Sequence, residues 1–374
     1  MDEILRAVLK RVRPTKAEQL RLQKVATGLI RRVEEVCAKL GVKARPMLVG
    51  SAARGTWLRT ERDIDIFILF PEHLPREELE RTGLAVAREV AGQRGKERYA
   101  EHPYVTAEFG GFEVDLVPCY DIVDARRIKS AVDRTPHHNR YISERLTPEL
   151  RDEVLLLKQF LSGIGVYGAE LKVQGFSGYL SELLVLHYRS FKNVAAAASS
   201  WLPGTFIDFT NSYADAEEAR ALFVGQPLIV IDPVDPNRNV AAALSTQNFA
   251  TFVRACQDFL RKPHTRFFFP KPPRPLSLRE LREKIRQRGT TFICIVFKPP
   301  NVVPDVLYPQ LRKTERALIA RLSRLGFEVF RSDVWSNSRS IILLELSIAR
   351  LPDVRLHTGP PITTGVGDFI KKHL

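Results

Sequence analysis

The chain has 374 residues, 44% hydrophobic and 27% charged, with a formal net charge of +14. That composition describes an ordinary globular protein, long enough for two or three cores, and excludes a disordered or fibrous chain. No apolar run of about 18 residues occurs and Met1-Asp2-Glu3 does not open a signal peptide, so the expectation is a cytoplasmic protein without a membrane span.

Thr15-Lys16-Ala17-Glu18 has the pattern of a capping box. Val25, Leu29, Val33, Val36 and Leu40 recur at helical spacing before Gly41, which predicts a long helix. Strands are predicted at 46–49 and 64–70, a helix at 76–91 and a hairpin at 104–119, whose Gly110-Gly111 link suits a primed turn. These elements make an α/β head around a small mixed sheet. From residue 148 the pattern turns helical, with Leu150, Val154, Leu157 and Leu161 on one helix and 177–191 on another. Residues 228–240 read as a strand entering a Pro-rich turn, 246–261 as a helix, and Lys262-Pro263 with 269–273 as a linker. A strand at 291–297, a helix at 309–325 and strands at 328–331 and 340–346 follow in β-α-β-β order, the order of a ferredoxin-like layer. The expected domains are therefore 1–147, 148–262 and 263–374.

The four cysteines (Cys37, Cys119, Cys256, Cys294) are far apart and form no CxxC, so they suggest neither a disulfide framework nor a zinc site and read as small core residues. The positive charge fits a polyanionic partner, with nucleic acid the simplest candidate. Arg126-Arg127, Lys129, Arg261-Lys262, Lys271 and Arg274 are candidates for phosphate contacts.

Residues 50–70, GSAARGTWLRTERDIDIFILF, carry the strongest chemical signal. Side chains alternate faces along a strand, so Asp63 and Asp65 share one face while Ile64, Ile66 and Ile68 share the other. The preceding Gly50-Ser51 turn offers backbone N–H groups to phosphate. In the second strand of the hairpin Glu113 and Asp115 occupy the polar face. If that strand pairs beside 63–69, Asp115 joins the other two aspartates, and three such carboxylates repel one another unless Mg²⁺ neutralises them. This is the donor set of a two-metal phosphoryl- or nucleotidyl-transfer site.

The combination of Gly-Ser, Asp-x-Asp and a later strand-borne Asp resembles the polymerase-beta-like nucleotidyltransferase superfamily. VDLVPCY at 114–120, IKSAVDRTPHH at 128–138, VYGAELKVQGFSGYLSELL at 166–184 and IDPVDPNRNVAAALS at 231–245 narrow the resemblance to the archaeal (class I) CCA-adding tRNA nucleotidyltransferases. YAEHPYV at 99–105 and YPQL at 308–311 extend it over nearly the whole chain. The resemblance implies an α/β (α+β) multidomain enzyme: a nucleotidyltransferase head, a helical central domain and an α/β C-terminal domain with a shortened or absent tail. It implies untemplated addition of C, C and A to the tRNA 3′ end from CTP and ATP, with Mg²⁺ as cofactor and recognition of the acceptor stem and TΨC arm. Residue by residue it assigns Asp63, Asp65 and Asp115 to the metals and Gly50, Ser51 and Arg54 to the triphosphate turn. It assigns His138, Lys158, Tyr167 and Arg238 to nucleotide contacts. Asp115 is the candidate to touch the metal of the attacking hydroxyl or accept its proton. The alternatives are a poly(A) polymerase-like tailing enzyme of the same superfamily and a non-catalytic tRNA-binding protein. Oligomeric state is left open, a homodimer included.

Overall fold

The computed structural model describes residues 1–99, 102–354 and 358–373, apart from the side chain of Arg126. The chain divides into two units, Met1–Pro272 and Pro273–Leu374.

The first unit opens with α1 (Asp2–Val12), which sequence periodicity did not flag, and α2 (Lys16–Leu40). The capping box at Thr15 and Glu18 forms as expected, and Gly41 ends α2 in the left-handed conformation. Next come β1 (Arg45–Val49), the short helix α3 (Gly50–Arg54), β2 (Asp63–Pro71) and α4 (Arg76–Ala91). Three strands complete the sheet: β3 (Lys96–Tyr99), β4 (Pro103–Phe109) and β5 (Phe112–Asp121). Their order is β1-β2-β5-β4-β3, mixed as expected, because β2 and β5 are parallel and the other pairs antiparallel. The Gly110-Gly111 link turns with φ of +58° and +82°, values that only glycine adopts readily and that a type I′ turn requires. Ile64, Ile66, Ile68, Val114 and Leu116 are buried with α2 and α4 on one face, which leaves the intervening aspartates on the other.

The chain continues through α5 (Arg134–Ser143), α6 (Pro148–Gly163), α7 (Gly178–Tyr188), α8 (Phe191–Ala198), β6 (Thr205–Ile207), α9 (Ala216–Leu222), β7 (Leu228–Val230) and α10 (Thr246–Arg261). The expected strand at 228–240 is only three residues long and pairs in parallel with β6. A second core gathers α6, α7, α8 and α10, and α1 adds Leu5, Val8 and Val12 to it. Between the two pieces read as linker, Phe268 is fully buried against Phe160, Phe191 and Phe259, and Phe269 of the second piece packs partly buried on the same core. Flanking prolines disguise these aromatics in the sequence.

The second unit holds α11 (Leu278–Arg288), β8 (Thr291–Phe297), α12 (Pro304–Leu325), β9 (Val329–Ser336), β10 (Ser340–Leu346) and α13 (Val366–His373). Its three antiparallel strands run β8-β10-β9, with Leu307, Tyr308 and Leu311 of α12 against Val334, Ile342 and Leu344. Cys37, Cys119 and Cys256 are buried as expected, whereas Cys294 is exposed on the edge strand β8. No helix among the described residues is long and apolar enough to cross a membrane.

Candidate active site

The register of β2 against β5 sets the site. Asp65 lies directly beside Asp115, and Asp63 beside Glu113. Val49, the last residue of β1, pairs with Asp65, so the Gly50-Ser51 turn begins level with that carboxylate. Gly50 has φ +73°, and a Cβ there would stand 2.2 Å from Asp65 Oδ2. The turn can thus hug the carboxylate only as glycine.

Ser51, Arg54, Asp63, Asp65, Asp115, Lys158 and Tyr167 line one cleft of about 450 Å³, together with Glu61, Glu170, Glu182 and the start of α7. Six carboxylates face two cations in this lining. Burial first, then repulsion from Asp115 and Asp63, pushes the Asp65 carboxyl from 3.8 up to about 6. Burial also raises Asp63, with Glu61 and Glu113 adding to the rise. Asp115 is raised by burial but steadied by Thr106 Oγ1, which donates to its Oδ1 at 2.7 Å. Among the described residues no three His, Cys, Asp or Glu side chains are arranged as a finished metal site. The donor chemistry nonetheless fits hard cations, since carboxylates this crowded hold their protons too tightly without a positive partner.

Lys158 is buried on α6, with Nζ 3.4 Å from Glu61 Oε2 and 5.6 Å from the centre of the Tyr167 ring. Glu61 also hydrogen-bonds Tyr167, whose hydroxyl burial raises well above its ordinary value. Lys158 is therefore not the solvated lysine that an amphipathic helix would ordinarily present.

Arg54 lines the cleft but is already engaged. Its Nε donates to Glu182 Oε1 at 2.9 Å and its Nη1 to Asn139 Oδ1 at 3.0 Å, while Thr56 Oγ1 donates to the same Glu182 oxygen at 2.6 Å. This buried group fastens α3 to α5 and α7.

His138 and Arg238 are not walls of that cleft. They meet instead at the fully buried Asp232, whose Oδ2 is 2.8 Å from His138 Nε2 and accepts from Arg238 Nη1 at 2.7 Å. Asp232 Oδ1 accepts from the Tyr179 hydroxyl at 3.2 Å and from the Val234 amide at 3.0 Å. Tyr179 stacks on His138 with ring centres 4.0 Å apart. Burial opposes the charge on Asp232, yet the His138 hydrogen bond and its other donors hold the carboxyl below its usual value.

Sequence reading did not single out Glu61, Thr106, Tyr179, Glu182 or Asp232. The available signal was a carboxylate set among apolar residues, as with Glu182 between Leu180, Leu183 and Leu184. Several cations expected to contact RNA are occupied: Arg127 by Glu72, Lys129 by the Glu72 carbonyl, Arg261 by Asp258 and Arg274 by Glu280.

Residues 30–138 match the nucleotidyltransferase domain, residues 152–269 the second domain of tRNA nucleotidyltransferase, and residues 288–374 the C-terminal domain of the CCA-adding enzyme. The CCA-adding enzyme of Methanosarcina barkeri is 49% identical over 365 residues, covering 96% of this chain and 79% of that protein. That of Halobacterium salinarum is 46% identical over 362 residues, covering 97% and 78%. A solved cytoplasmic RNA terminal U-transferase shares the fold at 13% identity, with a TM-score of 0.57 over 73% of this chain and all of that one. An α/β head with aligned aspartates, a helical second domain and relatives of this identity place the chain in the archaeal CCA-adding enzyme family of the nucleotidyltransferase superfamily.

Proposed function

We propose that the protein adds C, C and A to the 3′ end of tRNA, taking CTP and ATP and releasing pyrophosphate. The observation that carries this reading is the parallel register setting Asp65 beside Asp115, with Asp63 on the same face, across a cleft from Ser51 and Lys158. Asp63, Asp65 and Asp115 would hold Mg²⁺, in keeping with the divalent ions that nucleotidyltransferases generally use. Bound there, the metal supplies a primer hydroxyl of lowered pKa and charge neutralisation for the triphosphate.

The residues of the chain do the rest. Amides of the Gly50-Ser51 turn and the Ser51 hydroxyl donate to phosphate oxygens. Lys158 is a fixed positive charge for the phosphates, and Tyr167 fills the wall behind it. Arg54, held by Glu182 and Asn139, acts through the shape and charge of the turn. His138 and Arg238, set by Asp232, present a ring and a guanidinium to the incoming nucleotide. The domain reading stays at 1–147 for the head, 148–262 for the central domain and 263–374 for the C-terminal domain, supported by the two separate cores of the first unit. Activity on tRNA suits a cytoplasmic location.

The test is incorporation of labelled CTP and ATP with Mg²⁺ into tRNA lacking its last three nucleotides. Growth by three with GTP and UTP refused is the expected result. Long adenylate tails, or no growth, would overturn it.

A further inference from the structure

The polar face of the head sheet does not end at the aspartates. Asp65 is level with Asp115, Asp115 with Thr106, and Thr106 with Lys96, so one row crosses four strands from the acidic cleft to the edge. Arg98, opposite Tyr104, lies on the same face two residues further along β3. Lys96 thus stands two strand spacings, about 10 Å, from Asp115. Beside the row runs a trough of about 730 Å³ lined by Arg94, Lys96, Arg98, Thr106, Glu108 and Glu113.

Two features mark the edge of this trough as a place for an anion. Neither Lys96 nor Arg98 makes an ion pair or hydrogen bond among the described residues, Arg98 acting on Asp115 only through its charge, although other exposed cations of this sheet do, such as Arg45 with Asp121. Arg94 covers Phe109 at 4.9 Å, which leaves its charge at the same rim. An edge strand that carries free lysine and arginine also resists pairing with a foreign strand, but that role does not require both cations to share the face of the aspartates.

We propose that Lys96 and Arg98 bind backbone phosphates of the single-stranded 3′ end of the RNA substrate, leading its terminal hydroxyl to the Asp115 side of the cleft. This rests on the tRNA-extending reading above. The strand lies along the cationic bank, and the carboxylates of Glu108 and Glu113 on the opposite bank keep phosphates from crossing it. The contacts are to backbone, so they position the strand without reading bases.

The experiment compares the K96Q/R98Q double variant with wild type and with R31Q/K39Q, which removes the same two charges from α2. Binding of fluorescent tRNA lacking its CCA end is followed by anisotropy over a salt series, in parallel with nucleotide incorporation. For K96Q/R98Q the RNA Kd and KM should rise about tenfold, and the slope of log Kd against log salt should fall by about 1.4, the value for two single-strand phosphates. The KM for CTP and kcat at saturating RNA should stay within about twofold, because both side chains lie outside the nucleotide cleft. An unchanged slope, or an equal loss in R31Q/K39Q, would overturn the proposal. Wild type that binds this RNA but never extends it would overturn the activity reading instead, while the binding series still decides the role of Lys96 and Arg98.

Discussion

Replacing Asp65 with Asn isolates the cost of the acidic cleft. In the folded protein the carboxyl rises from 3.8 to about 6, so its protonated form fits the native site better than its charged form. At 1.36 kcal/mol per pH unit the rise corresponds to about 3 kcal/mol, or ~2 after allowing for the partial contact of Asp65 with solvent. The sign follows from a raised carboxyl: the favourable contribution is complete below 3.8 and is lost as pH rises through about 6. In chelator at about pH 8, D65N should therefore be more stable than wild type, with a melting temperature higher by ~4–8 °C for a unit of this size. Near pH 5 the advantage should shrink to about half. Millimolar Mg²⁺ should raise the wild-type melting temperature and leave D65N nearly unmoved. Scanning calorimetry with and without EDTA at the two pH values reads all of this. A variant less stable than wild type at pH 8, or one whose gain is the same at both pH values, would refute the account of Asp65 as a strained, metal-awaiting carboxylate.

Three other substitutions probe the surrounding parts. G50A, whose Cβ would meet Asp65 Oδ2 at 2.2 Å in a left-handed backbone, should cut incorporation at least ~100-fold while circular dichroism stays near wild type; near-normal turnover would mean that the turn does not shape the site. E182A strands the buried Arg54 guanidinium and should cost about 3 kcal/mol in urea unfolding, against less than ~1 for an exposed pair such as Arg31–Glu35. D232N removes the negative charge that His138 and Arg238 share, so the KM for CTP and ATP should rise about tenfold with RNA binding unchanged; altered RNA affinity with nucleotide KM intact would place that cluster on the RNA path.

Much of the head was legible because its signals are local. Thr15 and Glu18 are three residues apart, Gly110-Gly111 is a turn by itself, and the alternation of Asp63, Ile64, Asp65 and Ile66 fixes two faces at once. The strand β3 escaped because Lys-Glu-Arg-Tyr has no apolar alternation and is exposed throughout. The pairing of β6 with β7 escaped because three-residue strands carry too little pattern. At the site, the residue types could be read but not their attachments. Arg54 and Glu182 are 128 positions apart, and His138 and Asp232 are 94 apart, so only the folded chain shows that two expected nucleotide ligands are held in place by buried carboxylates. Cys294 and the aromatics around Phe268 mislead in opposite directions, an apolar strand left at an edge and a proline-flanked stretch drawn into a core.

The parallel pairing of β2 with β5 carries a consequence for how the chain can change length. The two strands are joined by 72–111, which holds α4, β3 and β4, rather than by a tight hairpin. Their alignment is therefore set by the buried isoleucine, valine and leucine faces and not by the length of the connection. Insertions or deletions between α4 and β4 can accumulate without disturbing the aspartates. A single residue gained or lost inside 63–65 or 112–115 would rotate a carboxylate into the hydrocarbon core. Tolerance of length change and constraint on chemistry thereby fall on different stretches of one continuous segment.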